Sequence, residues 1–473
     1  MKRRIISLLL VLAMLTASLF AVTSCVGNGP AGDLTSFEFD TNTPVTITFY
    51  HTMGESLRAV LDKYIVEFNK LYPNITVKHD QVGGYDDVRE RIKTEITVGD
   101  QPNIAYCYPD HVALYNLAQA VQTLDSLIAA TETVTRADGT TEQLGLTQAQ
   151  IDNFIDGYYA EGKAYGDDKM YTLPMSKSTE VLYYNKDFFE KNKLKVPTTW
   201  DELEETCKKI LEIDPNCIPL GYDSESNWFI TMCEQLNSPY TSATGEHFLF
   251  DNETNRNFVA RFREWYKKGY VTTQEISGGY TSALFTMNPA ETGNCYMCIG
   301  SSAGANHQIP DNDDGSFKFE VGIASIPQAN AENPKVISQG PSLCIFKKNN
   351  PQEVLASWLF VKYLTTTVDF QAEFGMTSGY VPVLENVTDN AVYAEELANA
   401  NGYEGLPLLA TKVCLEQMDA YYTSPAFNGS SAARDEVGKL MRVCLTTSET
   451  DAIAAIKKAF EAAIAECKYQ AGE

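Results

Sequence analysis

Lys163-Ala-Tyr-Gly166, Met170-Tyr-Thr-Leu-Pro174, Val181-Leu-Tyr-Tyr-Asn185-Lys-Asp187-Phe-Phe189 and Pro197-Thr-Thr-Trp200-Asp-Glu-Leu203 follow in close succession in the first half of a 473-residue chain. The Gly166-Asp-Asp-Lys169 run carries turn chemistry: glycine tolerates positive φ, and Asp side chains bond their own backbone. Tyr165–Leu173 is therefore predicted to be a hairpin. Leu173-Pro174 then leads into a polar stretch, Ser176–Glu180, followed by an apolar strand over 181–184. Thr198 or Thr199 is placed to cap a helix over 200–213, with Asp201 and Glu202 facing the positive end of its dipole. Strand and helix alternate, which indicates an α/β fold.

The same alternation extends in both directions. Upstream, Val45–Tyr50 places Val45, Ile47 and Phe49 on one face of a strand. Leu57, Val60, Leu61, Tyr64, Ile65 and Phe68 then recur at helical spacing, Pro73-Asn74 ends that helix, and Ile75–Lys78 gives a second strand. This βαβ unit implies parallel pairing. A helix over 88–98 leads to a strand over 104–108. Downstream, strands are expected near 217–221, 295–299, 320–324 and 342–346. Helices are expected near 225–236, 254–268, 351–365, 389–397, 434–445 and 449–467. Asp311-Asn-Asp-Asp-Gly315 lacks EF-hand spacing and the closing Glu, so it reads as a turn and no metal is expected.

The N-terminus reads as an export signal, with Lys2, Arg3 and Arg4 before an apolar run from Ile5 to Val22. Val22-Thr23-Ser24-Cys25 resembles a bacterial lipobox, which implies cleavage after residue 24 and lipidation of Cys25. Residues 25–43 are polar and Gly-containing and are expected to be a flexible tether. The formal net charge of −25 argues against nucleic-acid binding, which needs basic stripes, and against docking on anionic lipid. A hydrophobic content of 44% with 26 Tyr and 22 Phe supports globular packing. The other ten cysteines are scattered. Cys295 and Cys298 sit in a strand-like run where i and i+3 face opposite ways, so buried thiols fit better than zinc or a redox pair.

The quoted stretch resembles the signature of the family 1 extracellular solute-binding proteins, the sugar receptors of ABC importers. Further matches follow in the family's order: Pro102-Asn-Ile-Ala, Trp265-Tyr-Lys-Lys-Gly269, Gly340-Pro-Ser-Leu-Cys-Ile-Phe346, Ala356–Leu364 and Gly379-Tyr-Val-Pro-Val383. The resemblance implies a two-lobed, periplasmic-binding-protein-like fold of type II with three interlobe crossings, near 175–181, 338–345 and 377–383. Lobe 1 would comprise 44–175, 320–340 and 346–377, and lobe 2 would comprise 181–319 and 383–473. A monomer without cofactor, captured solute between the lobes, permease subunits in the membrane as partners, and a Gram-positive-like envelope are what it further implies.

Cleft residues are sought at strand ends and crossings. His51 and Thr52 follow the first strand; Tyr108 and Asp110 follow the third, and Asp110 matches an acidic position that contacts sugar hydroxyls in maltose-type receptors. Its alternative is a cap for a helix starting at Val112. Ser178, Thr179 and Glu180 lie at the first crossing, and Trp228 offers a flat face to a sugar ring or fills the core. Tyr280 and Tyr380 are further candidates. Gly300, Ser301 and Ser302 replace the family's Gly and Trp; open amides there would suit hydroxyls or an anion, as in a glycerol-phosphate receptor. Arg434, expected to open a C-terminal helix, would serve an anionic ligand or be a surface charge. An enzyme is not expected: Gly300–Gly304 fits G-x-S-x-G by spacing, but no His follows His307 to complete a hydrolase triad.

Overall fold

The computed structural model describes Leu34 and residues 36–473 apart from Asp313; the expected export signal and Cys25 lie outside the described residues. Ten strands build the two main sheets: β1 Val45–His51, β2 Ile75–Gln81, β3 Ile104–Cys107, β4 Thr172–Pro174, β5 Glu180–Asn185, β6 Leu220–Tyr222, β7 Val271–Thr273, β8 Met297–Ser301, β9 Val321–Ser325 and β10 Ser342–Ile345. The first sheet runs β2-β1-β3-β10-β4 and the second β9-β5-β8-β6-β7. The βαβ unit is parallel as expected, but each sheet is mixed. β10 lies antiparallel to β3 and β4, and β5 lies antiparallel to β8 and β9. The cause is connectivity, because β5 and β10 are each the first strand after a crossing.

The main helices are α1 Glu55–Leu71, α2 Tyr85–Ile96, α3 Pro109–Asn116, α4 Trp200–Ile213, α5 Glu225–Gln235, α6 Glu253–Lys267, α7 Pro351–Thr366, α8 Val368–Ser378, α9 Leu406–Glu416, α10 Ser430–Thr446 and α11 Ala452–Ala471. α1 buries Val60, Leu61, Tyr64, Ile65 and Phe68, the stripe its periodicity predicts. Thr199 caps α4, accepting the Glu202 amide at 3.2 Å, while the Glu202 carboxylate accepts the Thr198 amide at 2.8 Å. Two reciprocal bonds satisfy donors that a bare helix start leaves open. The second lobe's core stacks Trp228 between Tyr222 and Phe262, with Trp200 and Trp265 alongside. None of the helices among the described residues is long and apolar enough to cross a membrane.

Several expectations need correction. β9 pairs with β5, so residues 321–325 belong to the second lobe, not the first; the chain stays there until it crosses just before β10. Residues 383–399 remain against the first lobe: the Ile155 amide donates to Val383 and the Glu385 amide to Asn153. No strand forms at Tyr165. Glu161–Lys163 is a short 3-10 turn, the Tyr171 amide returns to Gly162, and β4 pairs with β10 instead of folding back as a hairpin. The end of the expected tether is docked. Phe39 is buried against Tyr72, and Gln352 bonds both the Asp40 amide and the Glu38 carbonyl.

The three crossing segments lie side by side. Lys177 exchanges backbone hydrogen bonds with Val381, and Ser178 with Gln339, at 2.6–3.0 Å. Gly340 is required here: its φ is +93°, and a Cβ would stand 2.5 Å from the Ser176 carbonyl oxygen.

Candidate ligand-binding cleft

Between the lobes lies a cleft lined from lobe 1 by Tyr108, Pro109, Asp110 and Glu161. Ile230, Tyr240, Thr241, Ser430 and Arg434 line it from lobe 2, and Ile337–Gln339 from the second crossing. Thr423–Pro425 complete the wall.

Its polar groups are built in. α3 begins at Pro109, with Tyr108 as its N-cap. Asp110 is therefore a first-turn residue and not the cap of a segment starting at Val112. Its Oδ2 is buried without a hydrogen-bond partner among the described residues, as are Tyr240 Oη, Thr241 Oγ1, Gln339 Oε1 and Ser424 Oγ. Five such atoms share this one cavity, where a polar ligand would pair them. Arg434 reaches in from the second turn of α10. It neither opens the helix, which starts at Ser430, nor sits on the surface. It donates to Asn227 Oδ1 and lies 6.0 Å from the Tyr108 ring centroid. Burial works against its charge, but Asp110 and the surrounding tyrosines outweigh it and hold the guanidinium pKa above its usual value.

The expected site residues divide. Tyr108, Asp110 and Arg434 meet on this cleft. Tyr380 lies beside it through Tyr85: their hydroxyls are 3.4 Å apart, and Tyr85 packs on Tyr108 at 4.5 Å between centroids. Glu180 lies beneath Tyr222, accepting its hydroxyl at 2.7 Å, and burial pushes its carboxyl up to about 7. The remaining candidates are used structurally. His51 is fully buried; its Nδ1 accepts the Met53 amide and its Nε2 meets His79 at 2.9 Å. Thr52 is absent from the lining. Thr179 donates to the Ile337 carbonyl at 2.7 Å, and Ser178 receives the Ser301 hydroxyl at 3.3 Å. Trp228 is core, and Tyr280 is 64% exposed outside the cavity. The Ser301–Ser302 turn has no open amides of the kind an anion needs. The Ser302 amide donates to Thr179 and the Ala303 amide to Ser301 Oγ. Gly300 makes room for Asp223, whose carboxylate would stand 2.8 Å from a Cβ.

The sequence reading missed Glu161, Lys177, Tyr240, Gln339 and Thr423. Lys177 and Glu161 form an ion pair with side chains only 0% and 3% exposed. A lysine inside the polar crossing 176–180 was the one signal pointing to it.

A family model described as bacterial extracellular solute-binding protein matches residues 63–401. The chain belongs to that family. The sn-glycerol-3-phosphate-binding periplasmic protein UgpB of Escherichia coli K12 is 24% identical over 363 residues, covering 73% of this chain and 75% of the relative. Among solved structures, the GacH receptor of Streptomyces glaucescens, crystallised with and without acarbose, superposes with a TM-score of 0.69. Identity is 17%, and the match covers 90% of this chain and all of that one. UgpB of Mycobacterium tuberculosis with glycerophosphocholine gives 0.69 at 18% identity, covering 89% and 98%. The solute-binding protein thus has the two-lobed fold of sugar and glycerophosphodiester receptors. All ten described cysteines are buried and free, Cys295 and Cys298 among them.

Proposed function

We propose that this solute-binding protein captures a neutral, hydroxyl-rich solute, a carbohydrate, in the cleft around Asp110 and Arg434, and delivers it to an ABC permease. The observation that carries this reading is the set of unpartnered polar atoms: one carboxylate oxygen, one amide oxygen and three hydroxyls facing a single cavity. A polyol can donate to the carboxylate and exchange bonds with the hydroxyls, whereas an apolar ligand would leave all five desolvated. Among the relatives, GacH, crystallised with acarbose, is of the same class. The cleft is read as closing about the three crossings, the protein as acting without catalysis and as a monomer, and Cys25 as its lipid anchor on the outer face of the membrane.

A second reading is favoured by Arg434 and by the names of the UgpB relatives: a glycerol phosphate or glycerophosphodiester, whose phosphoryl oxygens would meet the guanidinium. Asp110 beside it and the net charge of −25 weigh against an anion. Thermal shift and titration calorimetry with neutral saccharides, sn-glycerol-3-phosphate and glycerophosphocholine test both. A hundredfold excess over Kd adds about 2.7 kcal/mol of stability. Saccharide binding without product supports the proposal, exclusive binding of a phosphate ester replaces it with the second reading, and turnover or no shift with any solute refutes it.

A further inference from the structure

The Glu161–Lys177 pair stands in the cavity wall, and its hydrogen bonds have a direction. A carboxylate only accepts. Glu161 Oε2 takes the hydroxyl protons of Ser338 at 3.3 Å and Thr423 at 3.2 Å, and Oε1 takes the Lys177 ammonium and the Ser342 hydroxyl. Lys177 in turn donates to Ser342 Oγ at 3.1 Å and to the Gly340 carbonyl at 3.4 Å. Ser338 and Thr423 both line the cleft. Each hydroxyl has a single proton, and that proton points away from the ligand space, into the wall. What each presents to a ligand is therefore its oxygen lone pairs.

We infer that Glu161 is a specificity-determining positioning residue: held by Lys177, it fixes Ser338 and Thr423 as hydrogen-bond acceptors, so this wall selects ligands through their hydroxyl donors. The inference rests on the proposed carbohydrate reading and deepens it. With Asp110 Oδ2 and Gln339 Oε1 on the same cavity, one side of the cleft is rich in acceptors and Arg434 supplies the opposing donor. A sugar ring carries hydroxyls that donate and accept at once, which matches both sides. A phosphoryl group has only acceptors to offer, and this wall gives it nothing to accept. Lys177 matters because it balances the charge of Glu161 inside the wall and holds Oε1 in place.

The test is calorimetric titration of the wild-type protein with neutral mono- and oligosaccharides, followed by monodeoxy analogues of the tightest binder. Ser338→Ala, Thr423→Val and Glu161→Gln are then compared. One hydrogen bond gained or lost corresponds to about three- to tenfold in affinity. The wild type is expected to reject at least one deoxy analogue by about tenfold, and Ser338→Ala or Thr423→Val to lose that rejection while still binding the parent sugar. Glu161→Gln, which can donate to the two hydroxyls, is expected to lose it too. General structural damage would weaken parent and analogue alike, so the ratio between them separates the two effects. A wild type that binds saccharides, with variants that keep its analogue ratios, overturns the inference and leaves the carbohydrate reading standing. A wild type that binds no saccharide overturns both.

Discussion

Replacing Lys177 by Met removes the ammonium from a carboxylate that is itself only 3% exposed. Breaking a buried ion pair from one side costs about 3–5 kcal/mol, because the remaining charge is left desolvated. Here Glu161 keeps three hydroxyl donors, but at 3.2–3.4 Å they are long and offset little, so the loss should stay within that range at pH 7.5, about 3–5 kcal/mol. Adding Glu161→Gln removes the orphaned charge and should return the double variant to within about 1 kcal/mol of wild type. Urea unfolding at pH 7.5, on protein lacking residues 1–24, measures all four corners of the cycle. A Lys177→Met loss below about 1 kcal/mol at pH 7.5, or a double variant no better than the single, would show that the pair is not holding the crossings as argued.

Arg434→Ala removes the cavity's charged donor and should weaken saccharide binding by about ten- to a hundredfold in calorimetry, given about 1.5–3 kcal/mol for hydrogen bonds to charged groups; unchanged affinity would remove it from the site. Arg89 on α2 donates to Ser431 at 2.7 Å and Asp435 at 3.3 Å on α10, joining the lobes outside the cavity. Arg89→Ala should cost about 1–2 kcal/mol of apparent affinity, about five- to thirtyfold, and enlarge the particle in small-angle scattering; an unaltered scattering curve refutes the latch. His51 is held neutral, its pKa lowered to about 3 by burial, with the His79 and Arg58 charges adding to the effect and Asp62 opposing it. The folded state resists a proton that the unfolded chain accepts near pH 6.5, so stability should fall as pH drops from 6.5 toward 3. His51→Phe should flatten that dependence in urea titrations, and an unchanged slope would count against it.

The fold was legible because it is written in local terms. Apolar spacing in α1, the Thr199 cap and the βαβ alternation each act over a few residues, and the structure contains them within a residue or two. Misplacements arose where the chain had to be assigned between lobes. Nothing local in Val321–Ser325 says which sheet it joins; pairing with β5 decides that. Site residues followed the same rule. Asp110 and Tyr108 sit at a strand end that topology turns toward the cleft, so their place on its wall was findable. His51 sits at an equivalent strand end, but His79 from the neighbouring strand and the Met53 amide claim both its nitrogens. Tyr240 and Thr423 come from loops whose approach to the cleft depends on the packing of whole helices, and no motif marks them.

α10 ties these observations together. Arg434 faces the cavity, while Ser431 and Asp435, one turn before it and one residue after, meet Arg89 of the other lobe. The helix is anchored in the second lobe by α5, α6 and α11, so it moves with that lobe as a rigid piece. Any separation of the lobes must therefore break the Arg89 contacts and carry Arg434 away from Tyr108 and Asp110 in the same motion. A ligand that bridges Asp110 and Arg434 opposes that motion through the same helix. Ligand and latch then favour one arrangement, and each should strengthen the other. This is why Arg89, which touches no part of the cavity, is expected to change affinity at all.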